Sequence, residues 1–473
     1  MKKYIKKKNS MTLAVSIKKQ CYYVIVRHPP TIHSIVTRQQ IYHRIIDYYP
    51  WVSRGRYNIP IQHLIDQRFK KYHHDDDDHH QSSPSSSPTS TSNLVIKHSI
   101  TNVNNQLDHD PLVSIIVPVY NHLEYLSTTI QSIANQTFKD YEVIIIDDGS
   151  TEWNSFQKIN TIFNQFSNHL NLTILFQDNY GLSTSRNNGI QMSRGKWIFP
   201  LDGDDMIHPK TLESFIQKIS SDSSNDHSLS TTMIISDLEG FIQTGINTFE
   251  PLLNWKIPLF STSKLLTKNL FHCSAMFPKQ WWTDMGGYSN ALWFGWEDWD
   301  FWLRADHHLR GGINPLVIHK DYFKYRIKPG MHSFCKDNFK LCFAMFQTLH
   351  SNYYTLNEII KAHRIIGSRY SIIQQPIINR LKVFPNEYIL HLWNGLAYEY
   401  SSTDRKNITS IAKKSFQLSI KNNIKNDWQP IVLNVMCDRG TESFLESKRD
   451  LFDVFKQYPT LKDSLVQVYG NIF

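Results

Sequence analysis

The residues best placed to do chemistry are carboxylates, and they come in three groups. Asp202-Gly203-Asp204-Asp205 closes one apolar run, Asp147-Asp148-Gly149-Ser150 closes another, and Glu297-Asp298 stands among tryptophans. Asp202 and Asp204 are one residue apart at a strand end, so both can point the same way and hold a hard divalent cation through oxygen. Such a cation keeps waters and bridges to substrate phosphates, and it can act as a Lewis acid. The plain alternative is an acidic surface turn. Three carboxylates in four residues weigh against it, because their repulsion is costly without a cation. Glu297-Asp298 stands among aromatic residues, and a carboxylate partly desolvated in this way has a raised pKa and greater strength as a base. Trp293, Trp296 and Trp299 also suit the apolar C–H faces of a sugar. Phe301, Trp302 and Leu303 read as core.

These groups need a frame. Residues 113–117, 143–146, 172–176 and 197–201 are short apolar runs rich in β-branched residues and read as buried strands. Helical spacing separates them: Leu123, Leu126, Ile130 and Ile133, then Ile159, Ile162, Phe163 and Phe166, then a helix between Gly181 and Gly195. Strands alternating with helices predict a parallel sheet. Polar residues at the carboxyl ends of such strands point into the ligand crevice. Pro209 opens a further helix. Residues 220–232 read as a polar loop, and 233–236 and 271–277 as later strands.

The order of motifs resembles glycosyltransferase family 2, inverting enzymes with the GT-A fold. The resemblance rests on residues 114–121, Asp147-Asp148-Gly149-Ser150, Asn179-Tyr180-Gly181 with Ser185-Arg186-Asn187, Asp202-Gly203-Asp204-Asp205, and Gly295-Trp296-Glu297-Asp298. It covers residues 112–333. It implies an α/β, Rossmann-like, mostly parallel sheet flanked by helices. It also implies a metal-assisted transfer of sugar from a nucleotide-sugar donor, a UDP-sugar, to an acceptor hydroxyl. By resemblance Asp202 and Asp204 hold Mn²⁺ or Mg²⁺, chiefly through Asp204, with Gly203 giving backbone freedom. Asp148 meets the nucleobase, and Pro118, Tyr120 and Asn121 line its pocket. Arg186 meets the donor phosphates, or else forms a salt bridge within the domain. Asp298 is the general base, Glu297 orients the acceptor, and Trp296 and Trp299 bind it. Arg326, Lys328 and His332 resemble a loop closing over the diphosphate, with His332 a candidate metal ligand. His272-Cys273 falls where some relatives have an acceptor subsite.

Composition bounds the remainder. The chain has 41% hydrophobic and 20% charged residues and a net charge of +9. Residues 1–71 hold fifteen Lys and Arg against two Asp, a net of +13, which leaves the rest at −4. No nucleic-acid role is expected of the enzyme-like part; peripheral membrane or protein contact would fall to the basic segment or the C-terminal helices. Five scattered cysteines without a CxxC pair predict neither a zinc site nor a disulfide framework. No apolar run spans a bilayer or makes a signal-peptide core, so the expected setting is cytoplasmic. A helix is predicted over 32–47, between prolines. The His/Asp then Ser/Pro/Thr run at 73–93 predicts disorder. The expected domains are a basic segment of unassigned fold (1–72), a disordered linker (73–110), a GT-A domain (111–335) and a helical region (336–473). Trp393, Leu396, Ala397, Ala412 and Phe416 there resemble one tetratricopeptide repeat.

Two other readings stay open at this stage. One is a catalytically idle GT-A-fold scaffold or carbohydrate-binding protein, which would not hydrolyse nucleotide sugars. The other is a nucleotidyltransferase, which would release pyrophosphate from a nucleoside triphosphate.

Overall fold

A computed structural model of the protein describes residues 4–7, 10–17 and 20–27. It also describes residues 96–466, apart from 102–108, 223–228, 246–247, 310–311, 329–333, 400–404, 424–426, 439–448, 460 and 463–464. The predicted helix over 32–47 and the low-complexity run at 73–93 lie outside the described residues. The chain divides into two units, Met1–Asn93 and Leu94–Phe473. The first contains an antiparallel meander of β1 (Tyr4–Lys7), β2 (Ser10–Ile17) and β3 (Gln20–Arg27).

The second unit is built on two sheets. Its strands are β4 (His98–Thr101), β5 (Val113–Val119), β6 (Tyr141–Asp147), β7 (Leu172–Phe176), β8 (Trp197–Pro200), β9 (Met206–Ile207), β10 (Thr232–Gly245), β11 (Thr248–Trp255), β12 (Phe277–Pro278) and β13 (Asn314–Arg326). The larger sheet has the order β12-β8-β5-β6-β7-β4. Its four inner strands run parallel, and β12 and β4 close the edges antiparallel. The smaller sheet, β11-β10-β13-β9, has the parallel pair β10 and β13 at its centre.

The sequence of β5 explains its central place. All seven of its residues are buried, as expected of a parallel strand covered on both faces. Side chains alternate between faces, so Val113, Ile115 and Val117 join one core while Ile116 joins another. Helices α1 (Leu123–Ala134), α2 (Ser155–Phe166) and α4 (Thr211–Asp222) supply the first core through Leu126, Ile130, Ile159 and Leu212. Helix α3 (Leu182–Met192) supplies Ile190 to the second, and α5 (Glu297–His308) supplies Trp299, Phe301 and Trp302. Each fully buried Ile or Leu contributes about 1.5–3 kcal/mol. Ser114, the one polar side chain in β5, donates to Glu142 at 2.7 Å and accepts from the Gly195 amide at 2.8 Å.

The C-terminal helices are α6 (Phe339–Leu349), α7 (Leu356–Ser368), α8 (Tyr370–Val383), α9 (Tyr388–Glu399), α10 (Arg405–Lys421), α11 (Gln429–Cys437) and α12 (Asp450–Gln457). They do not stand apart. Ala291, Leu292 and Phe294, just ahead of α5, share one core with Met345, Ile366, Ile373, Trp393 and Phe416. Helices α9 and α10 meet closely at Gly395, where a Cβ would fall 2.3 Å from the Phe416 ring.

Several sequence expectations change here. The sheet begins at His98, ahead of the boundary expected at 111, because β4 completes the β7 edge. Helix α4 runs on to Asp222, into the stretch read as a loop from 220. Strand β10 is far longer than 233–236, since it pairs on both sides. The strand expected over 271–277 reduces to β12 and a bridge between Ile234 and Met276. Among the described residues, no helix is long and apolar enough to cross a membrane.

Candidate active site

Three strand ends meet at the carboxyl edge of the larger sheet. The Asp148 amide donates to the Val119 carbonyl at 2.8 Å, and the Gly203 amide donates to Pro118 at 3.2 Å. These bonds zip the loops after β6 and β8 to the end of β5. Asn121 sits in the left-handed region with φ 57. Its amide donates to Ser150 Oγ at 2.8 Å and its side-chain oxygen accepts from the Thr151 amide at 2.8 Å. Asn121 therefore ties two loops together, while Tyr120 beside it is exposed. Gly203 suits a close approach: a Cβ there would fall 3.0 Å from the Pro118 oxygen and 3.2 Å from Val119 Cβ.

Asp148 is buried and already engaged. Its Oδ1 accepts from Gln177 at 2.7 Å and from the Tyr180 amide at 2.8 Å; its Oδ2 accepts from the Gly181 amide at 2.9 Å. Burial raises its pKa, and these donors pull it back.

Arg186, fully buried on α3, joins the acidic loop to the second carboxylate pair. Its guanidinium donates to Asp202 at 2.7 Å and to Glu297 at 2.5 Å. Of the two expectations for Arg186, the salt bridge within the domain is the one present. Burial pulls its pKa down, but Asp202 and Glu297 outweigh that and hold it up. Cys273 Sγ donates to the other oxygen of Asp202 at 3.6 Å. His272 turns away into the core, stacked 4.4 Å from Phe323, and burial lowers its pKa to about 4.

Asp204 and Asp205 are held from the smaller sheet. Lys328 Nζ lies 2.6 Å from Asp204 Oδ2. The Arg326 amide donates to Asp205 Oδ1 at 2.8 Å, and its Nε donates to the Asp204 carbonyl at 2.6 Å. The rest of the Arg326 guanidinium serves Gln243 and Thr128 and lies 4.5 Å from the Tyr125 ring. Arg326, expected to meet phosphate, is thus occupied by the fold. His332 lies outside the described residues.

Helix α5 begins at Glu297, with Trp296 ahead of it at φ 66. Three acids, Glu297, Asp298 and Asp300, fall in its first turn, where the helix N-terminus favours negative charge. Asp298 is partly exposed; its Oδ2 accepts from Asn269 at 3.0 Å and its Oδ1 from the Trp299 amide at 2.7 Å. Burial, then Glu297, raises its pKa to about 7, while Arg186 lowers it. Asp300 is fully buried; burial pushes its carboxyl up, but Arg304 and His350 hold it below the usual range. Trp296 keeps some exposure. Trp299, expected to bind the acceptor, is only 2% exposed. It donates to the Leu265 carbonyl at 2.7 Å and stacks 4.4 Å from Phe346. Its ring belongs to the core and offers no face to a ligand.

Sequence reasoning missed Gln177, Asn269 and Arg380 at this site. Each acts through a partner distant in sequence, and no local pattern marks it.

The donor set fits a hard divalent cation. Asp202 and Asp204 offer carboxylate oxygens, and Asp205 Oδ2 is buried without a hydrogen-bond partner among the described residues. No three His, Cys, Asp or Glu form a ready cage among the described residues. Mg²⁺ needs none, since one or two carboxylates with substrate phosphates suffice.

Residues 114–279 match the family described as Glycosyl transferase family 2. The chondroitin synthase of Escherichia coli is 30% identical over 182 residues, 38% of this chain and 25% of that protein. The hyaluronan synthase of Pasteurella multocida is 28% identical over 227 residues, 46% of this chain and 22% of that protein. The chain thus spans about a quarter of the length of these relatives. Among solved structures, S. aureus TarS 1–349 in complex with UDP-GlcNAc is similar at a TM-score of 0.39 and 16% identity, covering 70% of this chain and 92% of that one. Residues 114–279 are thus the part of the chain that is similar to glycosyl transferase family 2.

Proposed function

We propose that the chain is an inverting glycosyltransferase that moves a sugar from a UDP-sugar to an acceptor hydroxyl. The observation that carries this reading is the Arg186 bridge, which sets the acidic loop and the start of α5 on either side of one buried guanidinium. The relatives named chondroitin synthase and hyaluronan synthase support sugar transfer.

Asp298, with a pKa of about 7, is poised to take the acceptor proton near neutral pH. The freed oxygen then attacks the anomeric carbon from the face opposite the diphosphate. The carbon–oxygen bond to the diphosphate breaks, and its electron pair leaves with UDP. A single displacement inverts the anomeric centre and needs no covalent intermediate. Asp202 and Asp204 would hold a divalent cation, Mn²⁺ or Mg²⁺, which when bound would supply Lewis-acid stabilisation of the leaving group. Lys328, now paired with Asp204, brings positive charge to the same place. Asp148 receives the nucleobase. Gln177 and the Tyr180 and Gly181 amides fix the orientation of its carboxylate. Glu297, fixed by Arg186, orients the acceptor, and the exposed edge of Trp296 packs on it.

The test is turnover of a UDP-sugar panel with Mn²⁺ and sugar acceptors, with the product anomer read by NMR. The reading requires UDP release that EDTA stops and a product of inverted configuration. Retained configuration would refute the single displacement.

A further inference from the structure

Arg380 lies on α8, beyond the family match that ends at residue 279. Helix α8 is anchored by Ile373 and Ile377, both fully buried in the core shared with Leu292 and Phe294. From this base the half-buried Arg380 side chain reaches back to the sheet edge. Its guanidinium lies 4.4 Å from the Phe384 ring. Its Nε donates to the Asn290 carbonyl at 2.7 Å, and its Nη1 donates to the Tyr180 carbonyl.

Each contact belongs to a different loop. The Tyr180-Gly181 loop sends two amides to Asp148. Gly181 has φ 92, and a Cβ there would fall 3.2 Å from Arg380 Nη1, so the guanidinium packs on a backbone that only glycine suits. Asn290 opens the loop that leads to Trp296 and α5, and its side chain accepts from Thr184 Oγ1 at 2.9 Å. One guanidinium thus holds the loop that grips Asp148 and the loop that delivers the base.

We propose that Arg380 is a positioning residue for the donor nucleotide, making the C-terminal helices part of the donor site. It fixes the carbonyl face of Tyr180, so the amides of Tyr180 and Gly181 stay aimed at Asp148. The inference rests on the reading of Asp148 as the nucleobase contact. Loss of hydrogen bonds from a charged group corresponds to a weakening of about 10- to 100-fold.

The experiment uses the full chain with Arg380→Gln, Arg380→Lys and Asp148→Asn, and measures UDP and inorganic pyrophosphate binding by calorimetry in one Mg²⁺ buffer. Arg380→Gln is expected to weaken UDP by about tenfold or more and to leave pyrophosphate unchanged, because pyrophosphate contacts no nucleobase loop. Arg380→Lys keeps the charge and the stem, and recovers part of the UDP affinity. Parental UDP affinity in Arg380→Gln, with affinity lost in Asp148→Asn, overturns the proposal and leaves the nucleobase reading standing. Parental affinity in Asp148→Asn overturns that reading and the proposal with it. Equal loss of both ligands in both Arg380 variants marks a merely structural role and also overturns it. If Arg380→Gln does not fold, Arg380→Lys decides by the same ratio of UDP to pyrophosphate.

Discussion

Replacing Arg186 by Met isolates the bridge on which the site is built. Arg186 is 1% exposed, the Glu297 side chain 7% and the Asp202 side chain 29%. Methionine fills much of the volume but leaves Glu297 buried without its cation. Breaking a buried pair this way costs about 3–5 kcal/mol. The lower end is expected, because Asp202 can rehydrate. Denaturant unfolding monitored by tryptophan fluorescence reads the loss. Adding Glu297→Gln removes the orphan charge and should recover part of it, with a coupling of about 0.5–3 kcal/mol. Arg186 also lowers the Asp298 pKa, so in Arg186→Met the acid limb of the pH–rate profile should move to higher pH. An Arg186→Met protein within about 0.5 kcal/mol of the parent, with an unmoved acid limb, would refute the bridge as the organising contact.

Two further outcomes follow from the geometry. Gly203→Ala sets a Cβ 3.0 Å from the Pro118 carbonyl oxygen, so the acidic loop must shift by a few tenths of an ångström and UDP affinity in Mg²⁺ should fall while circular dichroism stays parental; unchanged affinity in calorimetry contradicts the tight fit. His363 is buried, and burial lowers its pKa to about 4 against the opposing hydrogen bond to Gln429. Its folded pKa lies below the unfolded value of about 6.5, so its stabilising contribution is complete above pH 6.5 and is lost as pH falls towards 4. His363→Gln should flatten melting temperature against pH across that window, and an unchanged slope would contradict it.

The sheet and its loops were legible because their signals are local. Strands β5, β6 and β8 are mainly apolar runs that lead into Asp or Asn, as burial on both faces favours, and the polar exceptions Ser114 and Glu142 bond to each other. The acids at 147–148, 202–205 and 297–298 fall at element ends, as their sequence context implied. What escaped was pairing at long range. Arg186 meets Glu297 across 111 residues, and nothing near Arg186 distinguishes that from a phosphate contact. Arg326 looked free because the parallel pairing of β13 with β10, which carries it under the acidic loop, has no local mark. Which of the Trp296 and Trp299 rings is covered has no local mark either: Trp299 stacks on Phe343 and Phe346 and is buried, while Trp296 keeps some exposure.

The most direct test of the central claim is steady-state turnover of Asp298→Asn beside its UDP affinity. The substitution removes a proton acceptor and nearly preserves shape. The turnover rate should fall by about 10²–10⁴-fold with UDP binding unchanged, since the proposed function assigns the nucleotide to Asp148 and the acidic loop. The parental rate should rise with pH through about 7, where Asp298 loses its proton. Near-parental turnover in Asp298→Asn, above all if Glu297→Gln loses it, would contradict Asp298 as the base.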